Sequence, residues 1–466
     1  MGKKIINIGN LKKTIHYLQK NGIRHTFYAA KERMEEERQS EYVYVGPGKD
    51  MLSAQREKSA DCPYRFSIVV PAYETKEDYL REMIESVREQ SYEKWELIIA
   101  DASKSHHVEE IVTAYQRQEN EGRIQYIRLP ENKGISENTN AAVEKASGDY
   151  IGLLDHDDIL TPDALYEMAA AIDRAEQNGE SPVMLYSDED KYEDSGCYEH
   201  PNKKYKYNLD LILSNNYICH FMLVESGRMK KLKLRRQFDG AQDYDLVLRI
   251  TGDLLGAEPS VPAVRLCEKI VHVPKVLYHW RCHEESTAAN TASKRYAYEA
   301  GKEALEDFCR QRGWQAQAAH SLHLGFYQIT YMPDLFTVRP EVGIIGGRIL
   351  NRENRIETGI YDEEGRRLYL GVHKEYSGGS THRAALLQDC AAVDIRCMRV
   401  CKKLQPLFEE ITGVTYQEYG AWKLADVSAV TCDEEGYRKL SMTLGRAAAE
   451  MGYLVVWDPQ ITLKQK

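Results

Sequence analysis

The sequence predicts an α/β fold built on a parallel sheet, and three observations support that prediction. Short apolar runs of strand length recur from residue 66 onward, namely "FSIVV", "WELIIA", "IQYIRL", "YIGLLD" and "VMLYSD". Segments with helical periodicity separate these runs, among them residues 77–90 and 106–119, and such alternation is typical of a parallel sheet covered by helices. The chain has 466 residues, of which 42% are hydrophobic, so it exceeds one ordinary core and more than one domain is expected.

The flanking segments lack this alternation and are predicted to be separate regions. In chain order, the prediction is a helical extension and linker at residues 1–62, the alternating domain at 63–325, and an incomplete, non-catalytic α/β domain at 326–466. The extension is expected to break near Gly22 and to continue into the polar linker around "VGPGKD". In the last region, Asp362, Glu363 and Glu364 are expected to face solvent, because "YDEEGRR" has the composition of a turn.

The charge balance excludes a general nucleic-acid binder, because the formal net charge is −10 and such proteins carry a basic face. Two basic stretches, residues 1–38 and Arg228–Arg236 ("RMKKLKLRR"), either lie on solvated surfaces or meet an anionic membrane. No apolar run approaches the roughly 18 residues that span a bilayer, and "MGKKIINIGN" lacks the apolar stretch of a signal peptide. The sequence therefore predicts a cytoplasmic protein with reduced cysteines, and peripheral contact with the inner face of the cell membrane stays open.

Polar residues follow the predicted strands at the points where a ligand would bind. Pro71 and Ala72 follow the first run, Asp101 follows the second, and the segment from Asp155 to Asp158 follows the fourth. In an open α/β sheet, ligands bind beyond the carboxyl ends of the strands, so these residues are expected to share one crevice. Buried carboxylates without partners are costly, which predicts that water, a cation and a ligand phosphate surround them.

The carboxylates of "DHDD" suit a hard divalent cation, Mg²⁺ or Mn²⁺, because such ions prefer oxygen ligands. An EF-hand is excluded, because the sixth position counted from Asp155 is Leu160 rather than glycine. Two alternatives stay open at this point. One is the aspartate loop of a phosphatase, and the other is a solvated acidic loop before a helix that begins near Thr161 and Pro162.

Seven segments carry a family resemblance. In chain order they are "FSIVVPAYET", "ELIIADASKS", "ENKGISENTNAAVEKASGDYIGLLDHDD", "YSDEDK", "NNYICHF", "FDGAQDYDLVLRI" and "HVPKVLYHWRCHEEST". Together, over about residues 60–312, they resemble the family 2 glycosyltransferases of bacteria, in particular rhamnosyltransferase-like enzymes of surface polysaccharide synthesis. The resemblance implies a GT-A fold, which is Rossmann-like, and transfer of a sugar from a nucleotide-diphospho-sugar with inversion at the anomeric carbon. Residues 326–466 are similar to the later half of a second GT-A unit.

The resemblance also implies a donor site, which is assigned residue by residue. The residues that match the donor-binding positions are Pro71, Ala72, Tyr73, Glu74, Asp101, Asn132, Lys133, Gly134, Asn140, Asp155 and His156. Asp155 and Asp157 match the DxD pair that holds Mg²⁺ or Mn²⁺, and His283 matches a loop histidine that reaches the metal. A zinc site from His279, Cys282 and His283 is an alternative that lacks a fourth ligand, and an ordinary partly buried His283 also stays open.

Transfer to a hydroxyl requires a base, because the attacking hydroxyl must lose its proton. Asp243 matches the aspartate of the family's acidic motif, with Gln242 where glutamate is more common. The alternative is a first-turn acid that only stabilises its helix. The implied partners are a UDP- or dTDP-sugar donor and a saccharide or lipid-linked saccharide acceptor. An inactive nucleotide-sugar-binding or scaffolding protein of a polysaccharide assembly complex is the second function that stays open.

Overall fold

The computed structural model describes residues 8–36, 42–118, 122–193, 196–256, 260–282, 291–379 and 381–464. The helices, in chain order, are α1 Ile8–Glu36, α2 Lys49–Ser59, α3 Glu77–Arg88, α4 His107–Gln118, α5 Ile135–Val143, α6 Ala164–Gln177, α7 Leu209–Ile212, α8 Ser226–Leu232, α9 Gln242–Gly256, α10 Leu266–Lys269, α11 Thr291–Gln311, α12 Leu335–Val338, α13 Gln405–Thr412 and α14 Glu434–Glu450. None of these helices, within the described ranges, is both long enough and apolar enough to cross a membrane.

The strands, in chain order, are β1 Phe66–Ala72, β2 Trp95–Asp101, β3 Ile124–Arg128, β4 Tyr150–Leu153, β5 Ile159–Leu160, β6 Met184–Glu193, β7 Tyr198–Asn202, β8 Met222–Glu225, β9 Ile270–Cys282, β10 Ala316–His320, β11 Tyr327–Tyr331, β12 Val342–Leu350, β13 Ile356–Thr358, β14 Ile360–Tyr361, β15 Gln388–Asp389, β16 Ala392–Val393, β17 Met398–Val400, β18 Glu418–Tyr419, β19 Leu424–Ala425 and β20 Leu454–Lys464. The chain forms two compact units. The central unit is Tyr42–Ala319, and the terminal unit combines Met1–Glu41 with His320–Lys466. The domain limits predicted from the sequence stay a prediction.

The central unit contains a nine-stranded sheet with the order β3-β2-β1-β4-β8-β6-β9-β5, and β7 pairs with β6. The first four strands are parallel, as predicted, and the helices predicted over 77–90 and 106–119 are α3 and α4. The rest of the sheet is mixed, because β8 runs antiparallel to both β4 and β6. The chain reaches β8 through the hairpin strand β7 and the short α7, and a connection without a full crossover helix permits an antiparallel partner.

The strands of the central unit are continuous apolar runs because they are buried in its core. Every residue of β2 is buried, and β1 is buried at all but one position. Helix α3 places Leu80, Met83, Ile84 and Val87 against this sheet, at the spacing of one helix face. Strands covered on both faces have no solvent side, so they need no polar alternation. This rigid sheet fixes the positions of the loops that follow β1 and β4.

The terminal unit is a second, smaller α/β structure, as predicted for the end of the chain. Its sheet has the order β13-β12-β20-β15, with β17 also paired to β12. The runs "VGIIGGRIL" and "YLVVWDP" form β12 and β20, which pair in parallel. Helices α13 and α14 bury Phe408 and Leu444 in the same core as Trp457 of β20. In α1, Gly22 has φ 77° and interrupts the helix, which confirms the predicted break.

The prediction that Asp362 faces solvent is wrong. Its side chain is only 12% exposed, and its carboxylate accepts hydrogen bonds from the backbone N–H groups of Glu364 (3.1 Å) and Arg366 (2.8 Å). The Arg366 guanidinium adds a contact at 2.6 Å. Sequence composition indicated the turn, but it did not reveal that the aspartate itself closes it. Glu363 and Glu364 are exposed, as expected.

Candidate active site at the ends of β1 and β4

A pocket of about 460 Å³ lies at the carboxyl ends of β1 and β4. The predicted donor-site residues that line it are Pro71, Ala72, Tyr73, Glu74, Asn132, Gly134, Asp155, His156 and Asp157. Thr75, Lys76, Tyr79, Ile135, Asn138 and Trp280 complete the lining. These residues come from three separate chain segments and from β9, and they meet because parallel strands deliver their following loops to one edge of the sheet.

Asp101 does not line the pocket. It is fully buried, and its carboxylate accepts hydrogen bonds from the Ser103 backbone N–H (2.8 Å), the Tyr126 hydroxyl (2.7 Å) and the Arg128 guanidinium (3.2 Å). Three donors therefore already surround this carboxylate. Ser103 also receives a hydrogen bond at its hydroxyl from the Glu74 backbone N–H (2.7 Å), so Asp101 supports the loop that carries Glu74.

Asn140 and Lys133 also lie away from the pocket lining. The Asn140 side-chain amide is buried and pairs with the backbone of Leu234, donating to its carbonyl and accepting from its N–H, both at 2.9 Å. The Lys133 ammonium lies 3.3 Å from the Glu131 carboxylate on the surface. Asn140 therefore joins α5 to the segment after α8 rather than facing a ligand.

The start of α5 is closed by an aspartate from a distant part of the chain. Gly134, the residue before the helix, has φ 99°, a conformation that favours glycine. A β-carbon at this position would collide with the Asp239 carboxylate, and the Ser136 backbone N–H donates to Asp239 at 3.3 Å. A carboxylate is favourable here because a helix amino terminus carries partial positive charge.

An acidic cluster lies at the end of β4. The possible ligand atoms of Asp155, Asp158 and His220 all lie within 4.8 Å of one another, so they form a group that could hold a metal ion. The Asp155 side chain is 43% exposed, and partial burial raises its pKa; the charge of His220 opposes this shift, and the negative charge of Asp157 adds to it. Burial and the charges of Asp157 and Asp155 raise the pKa of Asp158 well above its usual value. Carboxylate oxygens crowded in this way fit a hard divalent cation, which would offset their mutual repulsion.

Asp243 lies in the first turn of α9 and is partly exposed. Its carboxylate accepts a hydrogen bond from the Asn216 side-chain amide at 2.7 Å. Its negative charge contributes to the raised pKa of Asp155, so the two carboxylates lie within electrostatic reach of each other. Asp245, in the same turn, is buried in an ion pair with Arg249 at 2.8 Å. The two acids of this turn thus have different surroundings.

Strand β9 holds the acidic loop in place through hydrogen bonds from Arg281. The Arg281 backbone N–H donates to the Asp158 carboxylate at 2.7 Å, and its guanidinium donates to the Asp157 carbonyl at 2.6 Å. His279 is buried, with Nδ1 2.6 Å from the Asp190 carboxylate, and belongs to no three-residue metal-ligating group among the described residues. His283 lies outside the described residues.

Residues 67–231 match the profile of the family described as "Glycosyl transferase family 2". The matched segment begins in β1, includes the acidic loop after β4 and ends in α8. The chain carries a glycosyltransferase family 2 domain. This confirms the family resemblance that the sequence segments indicated.

Known proteins resemble the family 2 domain over about half of this chain. "Uncharacterized protein y4gI" of Sinorhizobium fredii is 38% identical over 243 residues, which are 52% of this chain and 25% of that protein. "O-antigen biosynthesis protein RfbC" of Myxococcus xanthus is 31% identical over 253 residues, 54% of this chain and 18% of that protein. The chain thus spans a quarter or less of the length of these relatives. The solved structure of S. aureus TarS 1-349 in complex with UDP is 18% identical, and the match covers 53% of this chain and 71% of that fragment, with a TM-score of 0.37.

The family 2 domain also contains a buried charge network that sequence reasoning missed. His220 Nε2 lies 3.8 Å from the Asp155 carboxylate, and its Nδ1 lies 3.2 Å from Glu189, which in turn pairs with Lys204 at 3.3 Å. Burial opposes the charge on His220, but the hydrogen bond to Glu189 and the charges of Glu189 and Asp155 raise the pKa of His220 to about 9. With this pKa His220 is a cation beside Asp155, and it could bind a metal ion only after losing its proton, because an imidazolium has no lone pair.

The signal for this network was present in the sequence. Glu189 lies in "YSDEDK" and His220 in "NNYICHF", two of the segments that carry the family resemblance. Glu189 belongs to a strand whose first seven residues are all buried, and a charged residue in such a strand requires a partner. The pairing itself joins segments that are far apart in the chain, which local patterns do not reveal.

Proposed function

We propose that the family 2 domain transfers a sugar from a nucleotide-diphospho-sugar to a hydroxyl acceptor, with inversion, in cell-surface or extracellular polysaccharide synthesis. The observation that supports this most is the single pocket that joins the loop after β1, the start of α5 and the acidic loop after β4. Asp243 approaches the same acidic cluster from α9. A nucleotide, a diphosphate and a reacting sugar need these three kinds of surroundings in one place.

The loop after β1 suits the nucleoside of a UDP- or dTDP-sugar. Tyr73 is 41% exposed in the pocket lining, so its ring is available to a planar base. Glu74 is held in place, because its carboxylate accepts hydrogen bonds from the Lys104 backbone N–H and the Ser105 hydroxyl, both at 2.7 Å. We propose that Asp101 holds this loop in place through Ser103 and that Asn140 positions α5.

Asp155 and Asp157 are proposed to hold Mg²⁺ or Mn²⁺ in the pocket, with Asp158 beside them. The fit rests on the crowded carboxylates, whose repulsion a cation offsets. When bound, a divalent cation supplies positive charge next to the departing nucleoside diphosphate. His220, held as a cation by Glu189, contributes positive charge to the same place.

Asp243 is proposed to act as the general base. The acceptor oxygen bonds to the anomeric carbon while the bond from that carbon to the diphosphate oxygen breaks, and the hydroxyl proton passes to the Asp243 carboxylate. A single displacement of this kind inverts the anomeric carbon. The Asn216 amide, 2.7 Å from Asp243, holds the carboxylate in one orientation. The terminal unit is proposed to contribute no catalytic group.

A panel of UDP- and dTDP-sugars tests this proposal, with release of nucleoside diphosphate as the readout, in the presence and absence of excess chelator. We expect turnover of at least one donor that chelator abolishes and added Mg²⁺ or Mn²⁺ restores. The variant Asp243→Asn should bind the nucleotide as the wild type does, while transfer falls by about 10³-fold. Nucleotide binding without turnover of any donor, with saccharide acceptors present, would instead favour the inactive binding protein.

A further inference from the structure

A loop in the terminal unit has the geometry of an anion-binding nest. In Ser377–Gly379, three consecutive backbone N–H groups point toward one place, and Gly378 and Gly379 have φ 81° and 89°. Only glycine adopts such values readily, and a β-carbon on Gly378 would lie 2.6 Å from that of Ala384. Successive N–H groups arranged in this way form concave sites that bind phosphates and other anions. We call Ser377–Gly379 the nest.

The nest is filled by a carboxylate from α1. One oxygen of Glu32 accepts hydrogen bonds from the N–H groups of Gly378 (2.7 Å) and Gly379 (2.9 Å). The other oxygen accepts from the N–H group (3.0 Å) and the hydroxyl (3.1 Å) of Ser377. Four donors thus converge on one anionic group that comes from more than 340 positions away in the chain. The bound Glu32 carboxylate shows that the nest accepts the oxygen atoms of an anionic group.

His382 supports the nest by contacting the Ser377 hydroxyl. Its Nδ1 lies 2.6 Å from the Ser377 hydroxyl oxygen. Burial, together with the neighbouring His323, lowers the pKa of His382 to about 3, so the imidazole is neutral at neutral pH. With its proton on Nδ1, the ring donates to the Ser377 oxygen and leaves the hydroxyl hydrogen for the anion. Ser377 is only 6% exposed, so this arrangement is fixed inside the unit.

Side chains of both signs lie near the loop that leads into the nest. Burial lowers the pKa of His373; the charge of Glu375 opposes this shift, and the positive charges of Arg355, Lys374 and Lys31 add to it. The ring of His373 lies next to Tyr376, the residue before the nest, with 5.7 Å between ring centroids. The preference of the nest for an anion therefore rests on its converging N–H and hydroxyl donors.

We propose that the nest is a phosphate-binding site and that the Glu32 carboxylate is an internal ligand that a phosphate group displaces. A phosphate group offers three acceptor oxygens and nearly two negative charges to donors that now hold two oxygens and one charge. The phosphate belongs either to a small ion or to a phosphomonoester on a lipid headgroup. This inference is independent of sugar transfer, because every residue that carries it belongs to the terminal unit.

Titration of the full-length chain with inorganic phosphate, at constant ionic strength and pH 7, tests the proposal by calorimetry. The variant Glu32→Ala removes the internal competitor, so its affinity for phosphate should exceed that of the wild type by about tenfold or more. Glu450→Ala is the matched control, because Glu450 is an exposed acid at the end of α14 in the same unit. It removes the same charge and should leave the affinity at the wild-type value.

Two further arms complete the experiment. Adding Ser377→Ala to Glu32→Ala should lower the gained affinity, because the hydroxyl donor is lost. Vesicles with and without phosphatidic acid distinguish a lipid phosphate from a free ion, and binding to either probe supports the site. If Glu32→Ala does not fold, Glu32→Gln keeps the side-chain shape and allows the same comparison. A folded variant that binds neither phosphate nor phosphatidic acid more tightly than the wild type would overturn the proposal.

Discussion

Two aspartates, one in each unit, have opposite electrostatic surroundings. Asp394 of the terminal unit is fully buried, and its two carboxylate oxygens accept hydrogen bonds from the Arg396 guanidinium, both at 2.9 Å. Burial disfavours its charge, but Arg396 holds the pKa of Asp394 below its usual value. The side chain of Asp155 in the central unit is 43% exposed; partial burial and the charge of Asp157 raise its pKa, although the charge of His220 opposes the rise.

The difference separates a carboxylate that serves the fold from one that serves a ligand. Asp394 has its compensating cation within the chain, and the hydroxyls of Thr358 (3.0 Å) and Tyr361 (2.8 Å) also donate to it. Asp155 lies near the acids Asp157 and Asp243, and the nearby cation His220, at 3.8 Å, does not prevent the rise in the pKa of Asp155. Groups with such perturbed surroundings cluster at functional sites. The contrast between Asp155 and Asp394 leads to the following tests.

The largest effect is expected on sugar transfer from Asp155→Asn. The substitution removes a carboxylate that the proposed cation site requires, so transfer should fall by about 10³-fold. Thermal stability should change little, because the substitution relieves the repulsion by Asp157 and also removes the carboxylate beside His220. Steady-state rates and a melting curve measure the two quantities. Transfer at a near wild-type rate would remove Asp155 from the site.

The reverse pattern is expected for Asp394→Ala. This substitution leaves Arg396 buried without its main partner, and removing one member of a buried ion pair costs about 3 kcal/mol of unfolding free energy. Transfer per folded molecule should be unchanged, because the terminal unit is proposed to be non-catalytic. Denaturant unfolding and activity measured on the same sample test both statements. Lost transfer in a folded Asp394→Ala protein would contradict the division of roles between the units.

A smaller effect is expected from Asn216→Ala, which removes the donor that holds Asp243. Transfer should fall by about tenfold, the scale of one lost hydrogen bond to a charged group. The loss should fall on kcat rather than on the KM for the donor, because the amide orients the base and does not contact the nucleotide in this proposal. Asn216→Gln, which keeps an amide, should recover part of the rate. If the losses from Asn216→Ala and Asp243→Asn simply added in the double variant, Asn216 would not act through Asp243.

The smallest effect concerns membranes. In "RMKKLKLRR", four of the six basic side chains form ion pairs within the central unit, with Asp253, Glu144, Asp245 and Asp307 as partners. Membrane attraction stays a prediction, but this pairing reduces its expected size. Sedimentation with anionic and neutral vesicles should differ by less than about fivefold, the effect of one basic residue near a charged surface. A much larger difference at moderate salt would show that this surface is a membrane contact.

Much of the fold was predictable because local sequence patterns determine its strands and helices. The continuous apolar runs predicted β1 to β4, and the helical periodicity predicted α3 and α4 to within two residues. The strand order β4-β8-β6 was not predictable, because it depends on pairing between strands that are far apart in the chain. Strand pairing over long sequence distances leaves no local signal.

In the candidate site, too, contacts between distant segments of the chain could not be predicted. Composition and position were enough to single out Asp155 and Asp157, and the family resemblance added Asp243. The contact of Asp239 with α5 and the hydrogen bonds of Asn140 to Leu234 could not be predicted, because each joins segments about a hundred residues apart. Such contacts determine which polar residues face the ligand and which hold the loops in place.

The most direct test of this account is the binding of Mn²⁺ by the intact chain in the presence of UDP, measured by electron paramagnetic resonance. Asp155 belongs both to the proposed pair with Asp157 and to the group with Asp158 and His220, so it is the residue that either arrangement needs. We expect one bound ion per chain in the wild type and in Asp394→Ala, with at least about tenfold weaker binding in Asp155→Asn. Equal Mn²⁺ affinity in Asp155→Asn and the wild type would contradict it.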